Sequence, residues 1–302
     1  MANQLDLHMH SNISNDGEYT PSQLMQLCQQ HGLKTVALSD HNSVRGIAEA
    51  QRSANELGLE FIRAIELDCQ FEGVNLHLLG YGIDPTLSEF EKNEMDILKK
   101  EQAASSKLIE LVQDLGIHFE IEKVLDFAIE GVVTGEMIAE AALEDQRNQD
   151  NPLLEPYKKN GKRSDNPFVN FYWDFCSQGK PAYVPIQFMG LNEAIQLIRK
   201  ARGLAVLAHP GINIGQNQKI LEGIVACGVD GIEVYSSYHD ENMVAYYNEQ
   251  AEKFHLMKTI GSDFHGKTKP AIKLGSMSCR EEIDINHQFK RKLSEVSINL
   301  SK

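Results

Sequence analysis

The chain has no apolar run approaching the roughly 20 residues that a bilayer span requires, so no segment reads as a membrane helix. It has no CxxC and no close pair among its five cysteines, Cys28, Cys69, Cys176, Cys227 and Cys279. That dispersal excludes a disulfide scaffold and fits reduced thiols. Positive charge is scarce: Lys and Arg number 29 against 43 Asp and Glu, for a net charge of -14. An acidic surface repels polyanions, which argues against long nucleic acid as a partner. Internal repeats and low-complexity segments are also missing. The start, Met1-Ala2-Asn3-Gln4-Leu5, carries neither a basic region nor an apolar h-region. The expectation is a cytoplasmic protein without a secretion signal, and no partner protein is evident.

What remains is ample for a core. Apolar residues are 42% of 302, enough for one large α/β domain or two ordinary ones. Short apolar runs bounded by Gly or polar residues read as strands at 5–9, 35–38, 60–67, 75–81, 204–208, 231–235 and 258–261. Between them lie helical patterns at 43–57, 191–201, 219–227 and 241–254, and one that begins at Thr20-Pro21-Ser22 with Thr as N-cap. The alternation argues for a parallel sheet with helices outside it, and for a barrel over an open sheet. It breaks at 85–185. That stretch carries helical patterns at 87–115, 121–129 and 134–143, then a polar loop at 146–167. The expected organisation is a barrel formed by 1–84 and 186–302, with 85–185 inserted after the fourth strand as a mostly helical cap.

Of eleven histidines, six sit in short runs at strands. The runs are Asp6-Leu7-His8-Met9-His10, Ser39-Asp40-His41, Leu76-His77-Leu78, Ala208-His209-Pro210 and Gly261-Ser262-Asp263-Phe264-His265, with Asp16, Glu66 and Glu233 for company. Asp6, His8 and His10 alternate, so on a strand they share one face. A polar face on a buried strand is costly unless something satisfies it, and a metal ion does. Each run has a plainer reading. Asp40 could cap a helix, Glu66 could pair at the surface, and His77 could be a satisfied core residue. Jointly those readings need unrelated coincidences at several strand ends. Imidazole and carboxylate together suit divalent transition metals, and no cysteine lies in these runs.

In their order, Asp-Leu-His-x-His, Ser-Asp-His, Glu66, His77, His209-Pro210 and Gly-Ser-Asp-x-His resemble the polymerase and histidinol phosphatase (PHP) family of phosphoesterases. The resemblance spans 5–82 and 191–266. In the insertion, Gly179-Lys180-Pro181-Ala182-Tyr183-Val184-Pro185 is similar to the branch acting on nucleoside 3′,5′-bisphosphates. The resemblance implies a distorted (β/α)7 barrel and two or three divalent ions, manganese, iron or zinc. His8, His10, Glu66 and Asp263 would hold one. Glu66, His77 and His209 would hold a second, and Asp16, His41 and His265 a third. The implied activity is hydrolysis of phosphomonoesters of small nucleotides or related metabolites. Exonuclease action on short oligonucleotides, a histidinol-phosphate-type phosphatase and a non-catalytic module are the alternatives.

Asp40, His209 and His265 are the expected catalytic residues, Asp40 as a base or as the orienter of a water. Glu233 is expected behind the ligands. Lys180 is the candidate phosphate contact, because Lys offers a flexible point charge. His239 either reaches the mouth or lies exposed in its loop. The basic cluster Lys158, Lys159, Lys162 and Arg163 reads as a solvated loop or a second phosphate contact. One departure stands out: where the branch carries Arg-Pro-His before Ile-Ala, this chain has Gly135-Glu136-Met137 before Ile138-Ala139.

Overall fold

Aliphatic and β-branched runs become strands, and the amphipathic stretches between them become helices, in a computed structural model that describes residues 4–277 and 279–299. The strands are β1 (Leu5–Asp6), β2 (Thr35–Leu38), β3 (Glu60–Phe71), β4 (Val74–Tyr81), β5 (Met189–Gly190), β6 (Leu204–Leu207), β7 (Gly231–Ser236) and β8 (Met257–Gly261). Around them run α1 (Pro21–Gln30), α2 (Ile47–Leu57), α7 (Leu191–Lys200), α8 (Pro210–Asn213), α9 (Gln218–Cys227), α10 (Glu241–Lys253) and α11 (Glu282–Asn299). The long interruption supplies α3 (Ser88–Asp114), α4 (Ile121–Phe127), α5 (Gly135–Glu144) and α6 (Pro167–Phe171), the last running into a π-turn at Tyr172–Cys176. Among the described residues no helix is long and apolar enough to cross a membrane.

The sheet order is β1-β2-β3-β4-β6-β7-β8, with β5 on the side of β3. β8 returns to β1: the Leu7 amide donates to the Ile260 carbonyl at 3.0 Å, and Met9 bridges Phe264 in parallel. Seven strands thus form a nearly closed barrel, as expected. They are not all parallel. β4 runs antiparallel to both β3 and β6. Glu72 (φ 47°) and Gly73 (φ 79°) form the two-residue turn between β3 and β4, with Phe71 paired to Val74. Two left-handed residues are what a tight hairpin needs, and a parallel crossover takes about a dozen residues or more.

Other expectations shift for local reasons. The regular part of β1 stops at Asp6, and both oxygens of Asp6 are taken by the amides of Ser262 and Gly275 at 2.9 Å. Asp6 therefore clamps backbone and does not join the histidines. The stretch 146–167 is largely the expected loop, but an ordered one. It forms two 3-10 turns, Gln146–Asn148 and Glu155–Tyr157, and buries Leu154 and Tyr157. Asn148 holds it in place by donating to the carbonyls of Ala142 and His118. Neither α6 nor α11 was expected from the sequence.

The main core fills the barrel and its helix layer with Leu5, Leu67, Leu78, Val206, Ile232 and Ile260. Gly80 lets α7 lie close, since a Cβ there would meet Ile198 at 2.8 Å. The inserted helices gather a separate core around Val112, Ile138, Leu154, Tyr157 and Phe171. They meet loops at the barrel mouth through Arg45 with Glu94 and Glu130, Lys267 with Glu140, and Trp173 with Tyr238.

Leu78 is wholly buried at the centre of β4. Leu78→Ala should cost about 2–5 kcal/mol, the range for a large aliphatic truncated in a packed core. Urea denaturation measures it, and a loss below about 1 kcal/mol would contradict this central placement.

Candidate metal centre

One face of each barrel strand delivers a polar side chain to the same end of the barrel. His8 and His10 come from the chain just past β1, Asp16 from the loop beyond it, and Asp40 and His41 from the end of β2. Glu66 lies within β3, His77 within β4 and Glu233 within β7. His209 follows β6, and Asp263 and His265 follow β8. His209 (φ 24°) and Asp263 (φ 58°) take left-handed backbone conformations. That strain is held by the fold around them.

Glu66 is fully buried at the centre. Its Oε2 lies 3.2 Å from His8 Nε2, His10 Nε2 and His41 Nδ1. Its Oε1 lies 3.1 Å from His77 Nδ1 and His209 Nε2. Asp263 Oδ1 adds contacts of 3.2 and 3.1 Å to His8 and His10. His265 Nε2 meets Asp16 Oδ2 at 3.1 Å, and its ring stacks on His10. Three sets of atoms fall within 4.8 Å of one another: His8, His10, Glu66 and Asp263; His41, Glu66 and His77; and His10, His41 and His265. The first is the set expected from sequence. His41 stands between the other two, while His209 joins through Glu66 and Asp16 through His265.

These donors fit a cation better than they fit each other. Glu66 Oε2, Asp263 Oδ1, His41 Nδ1, His265 Nε2 and Asp16 Oδ1 are buried with no hydrogen-bond partner. Lone pairs facing lone pairs out of water are costly. Donor spacings of 3.1–3.2 Å also match neighbouring ligands around an ion with bonds of roughly 2.0–2.2 Å. The all-N/O set suits a divalent transition metal.

The outer nitrogens of the imidazoles are held as metal-ligating histidines usually are. His8 Nδ1 pairs with Glu233 Oε1 at 2.9 Å, and Glu233 Oε2 accepts the His209 amide at 2.8 Å. A side chain at position 261 would strike both His8 and Glu233, so glycine is needed there. His209 Nδ1 meets Asn213 Oδ1, and His265 Nδ1 donates to the Asp263 carbonyl. His77 Nε2 meets Asp68, which Asn42 grips at 2.6 Å. Asp40 accepts from the amide and hydroxyl of Ser11 and from Ser14 Oγ. Ser14 Oγ in turn meets His10 Nδ1 at 3.2 Å and accepts the His41 amide. Asp40 thus reaches the cluster through Ser14.

Sequence reading missed Ser14, Asp68, Asn42 and Asn213. Only Asp68 carried a signal, two residues from Glu66 on the same strand face. Two expected substrate contacts are not joined to the cluster. His239 is committed to backbone, with Nε2 accepting the Gly211 amide and Nδ1 donating to the Val234 carbonyl. Lys180 is exposed in a turn beyond the π-turn. Part of the basic cluster is structural: Lys158 binds the carbonyls of Asn148 and Gln149, and Arg163 pairs with Asp174. Gly135 packs on Cys176, and a Cβ there would lie 2.8 Å from its Sγ. Position 135 therefore has no room for arginine. Glu136 beside it is buried, and burial together with Asp16 raises its carboxyl to about 7.

Without ions, protons share the cluster. Burial opposes charge on His10, but Asp263 and Glu66 outweigh it and lift its pKa to about 9. Burial likewise opposes charge on His77, and Glu66 and Asp68 lift it to about 9. Burial drives His41 well down. Burial would raise Glu66, yet His8, His77 and His41 hold it well below the carboxylate range.

A PHP domain family model matches residues 6–205. A 5′-3′ exoribonuclease of Haemophilus influenzae is 28% identical over 88% of this chain and 91% of its own length. A phosphoribosyl 1,2-cyclic phosphate 1,2-diphosphodiesterase of Eggerthella lenta is 27% identical over 87% and 94%. A 3′,5′-nucleoside bisphosphate phosphatase of Chromobacterium violaceum is 28% identical over 88% of each chain. Among solved structures, a putative metal-dependent phosphoesterase of Bifidobacterium adolescentis superposes with a TM-score of 0.73 at 24% identity, covering 92% of this chain and 93% of that one. That likeness supports the fold.

Because His10 and His77 titrate near 9, both hold protons at pH 7 that an entering ion must displace. Loading Mn²⁺ at pH 7 should therefore release protons, and apparent affinity should climb between pH 7 and about 9, then level off. Calorimetry in buffers of different ionisation enthalpy reads the released protons. Binding enthalpies that do not change with buffer would show the imidazoles already neutral.

Proposed function

Since the chain belongs to the PHP family, we propose that it is a metal-dependent phosphoesterase that hydrolyses phosphomonoesters of small nucleotides or related metabolites. The observation that carries this reading is Glu66, whose two oxygens each face a separate group of imidazoles. The ions are two or three of manganese, iron or zinc. His8, His10, Glu66 and Asp263 would hold one, Glu66, His77 and His209 a second, and Asp16, His41 and His265 a third. When bound, such ions supply Lewis acidity and a nucleophile at neutral pH.

The chain's own groups fix the geometry. Glu233 holds His8 and the turn that carries His209. Asp40, through Ser14, holds His10 and the start of the His41 segment. Asp68 holds His77. His209 and His265 act at the reacting centre as ligands, their outer nitrogens being spent. Tyr238 and Trp173 close the seam between barrel and cap, which helps to keep bulk water from the phosphoryl group.

Glu66→Ala should remove more than one equivalent of metal and cut turnover by orders of magnitude, since it would strip a ligand from two ions at once. Asp40→Asn should cost about 10- to 100-fold, the usual scale for a group that orients a ligand. Elemental analysis with p-nitrophenyl phosphate assays tests both. A Glu66→Ala protein that keeps its metal and its turnover would end the shared-ligand reading.

Substrate choice turns on the first turn of α5. A 3′,5′-bisphosphate needs cations for its second phosphate. Position 135 is closed to an arginine, and position 136 holds a buried carboxyl. Adenosine 3′,5′-bisphosphate should therefore exceed adenosine monophosphate by less than about tenfold in kcat/KM, or 1.4 kcal/mol. Trimming of short oligonucleotides is the second reading, prompted by the relative named as an exoribonuclease. Steady-state kinetics on both nucleotides and a 5′-phosphorylated trinucleotide decide the matter. A hundredfold preference for the bisphosphate, or for the trinucleotide, would overturn the monophosphate assignment.

A further inference from the structure

Lys269, on the loop beyond β8, is the one buried lysine or arginine among the described residues, at 5% exposure. Its ammonium donates to Asp263 Oδ2 at 2.5 Å and lies 5.4 Å from the centre of the Tyr238 ring. An ammonium carries three N–H donors. Among the described residues, one carboxylate oxygen and one ring face are all that meet this one. A buried cation so short of acceptors is costly, and oxygens from outside the chain would relieve it.

The place is specific. Asp263 Oδ1 faces His8 and His10, while Oδ2 faces Lys269. One carboxylate therefore separates the ammonium from the ion cluster. On its other side the Tyr238 ring leads to Trp173 of the inserted segment. The other cations near the mouth are engaged, Arg45 with Glu94 and Glu130, and Lys267 with Glu140. Resting on the phosphoesterase reading, we propose that Lys269 binds the phosphoryl group of the substrate, the role that sequence alone gave to Lys180. Its free donors meet phosphoryl oxygens while Asp263 keeps hold of the third. The barrel thus supplies from the β8 loop a cation that the cap has no room for at position 135.

Tyr238 makes the proposal separable from a purely structural role. Its hydroxyl donates to the same Asp263 Oδ2 at 2.8 Å, so this oxygen keeps a partner when the lysine is gone. Removing a cation beside the ions also lessens repulsion toward them. Lys269→Met should therefore keep its metal and lose phosphate.

The test compares manganese-loaded wild type, Lys269→Met and Lys269→Arg. Metal content, inorganic phosphate affinity by calorimetry, and kcat/KM on p-nitrophenyl phosphate are measured for each. Lys269→Met should match wild type in metal and lose about 10- to 150-fold in both phosphate affinity and kcat/KM, the size of one charge-assisted hydrogen bond. Lys269→Arg should recover part of each. If Lys269→Met does not fold, Lys269→Gln takes its place in the comparison. Metal lost in step with activity would make Lys269 only a support for Asp263. Wild-type phosphate affinity in Lys269→Met, with the loss appearing in Lys180→Ala, would hand the role to the exposed lysine. The phosphate titration needs no turnover. Wild-type protein that binds phosphate yet hydrolyses no phosphoester would therefore sink the function proposed above and leave Lys269 as an anion site.

Discussion

A fully buried carboxylate, Glu66, faces five imidazoles at 3.1–3.2 Å, and the rest of the barrel is arranged around that fact. Such a group cannot stand alone: a lone carboxylate in the interior would neutralise itself or unfold its surroundings. The chain brings the five imidazoles from four different places: past β1, past β2, on β4 and past β6. His8, His10, His77 and His209 arrive with the other nitrogen bonded, so their orientation does not depend on the ion. Glu233, Asp40 and Asp68 do this from behind, Glu233 and Asp40 anchored by backbone and hydroxyl donors and Asp68 by the side-chain amide of Asn42. The arrangement resembles a frame built before its contents.

The antiparallel β4 belongs to that frame. In the hairpin register Asp68 is the direct partner of His77, and Glu66 lies two residues along on the same face. Directly opposed side chains on one face sit about 5 Å apart, within reach of an imidazole–carboxylate contact. A parallel strand entering at that position would have presented its histidine at its end, like the others. The hairpin places it mid-strand. This is why His77 looked like a lone histidine in an apolar run.

Legibility in the sequence followed the range of the interaction. His8 with His10, and Asp263 with His265, were readable because alternation is local. The shared face of the cluster was readable because several strands end alike. Asp68 with His77 required the turn at Glu72-Gly73, whose left-handed glycine was visible but whose glutamate gave no hint of φ 47°. Lys269 was hidden among ordinary polar residues, since nothing in Gly266-Lys267-Thr268-Lys269-Pro270 tells a buried ammonium from an exposed one. Tertiary packing makes that difference: Lys269 turns in toward Asp263, while Lys267 turns out toward Glu140. The ordering of the loop 146–167 was hidden for the same reason. Its polarity serves internal carbonyls through Asn148 and Lys158.

An acidic chain acting on anions raises an electrostatic question that the cluster partly answers. The formal charge of -14 counts Asp16, Glu66 and Asp263. Ions held by those groups would reverse the local sign. It also counts two carboxyls of the inserted helices that are partly protonated at neutral pH when no ion is present. Burial, with Asp68 and Asp16 nearby, lifts Glu101 to about 8, and burial with Asp16 lifts Glu136 to about 7. A raised carboxyl is protonated below its pKa, so at pH 7 Glu101 is mostly neutral and Glu136 about half so. The cap wall facing the site is thus less negative than its composition. Entering cations favour the ionised carboxylates, so these protons leave as the ions arrive. Ion binding and the charge of this wall are therefore coupled.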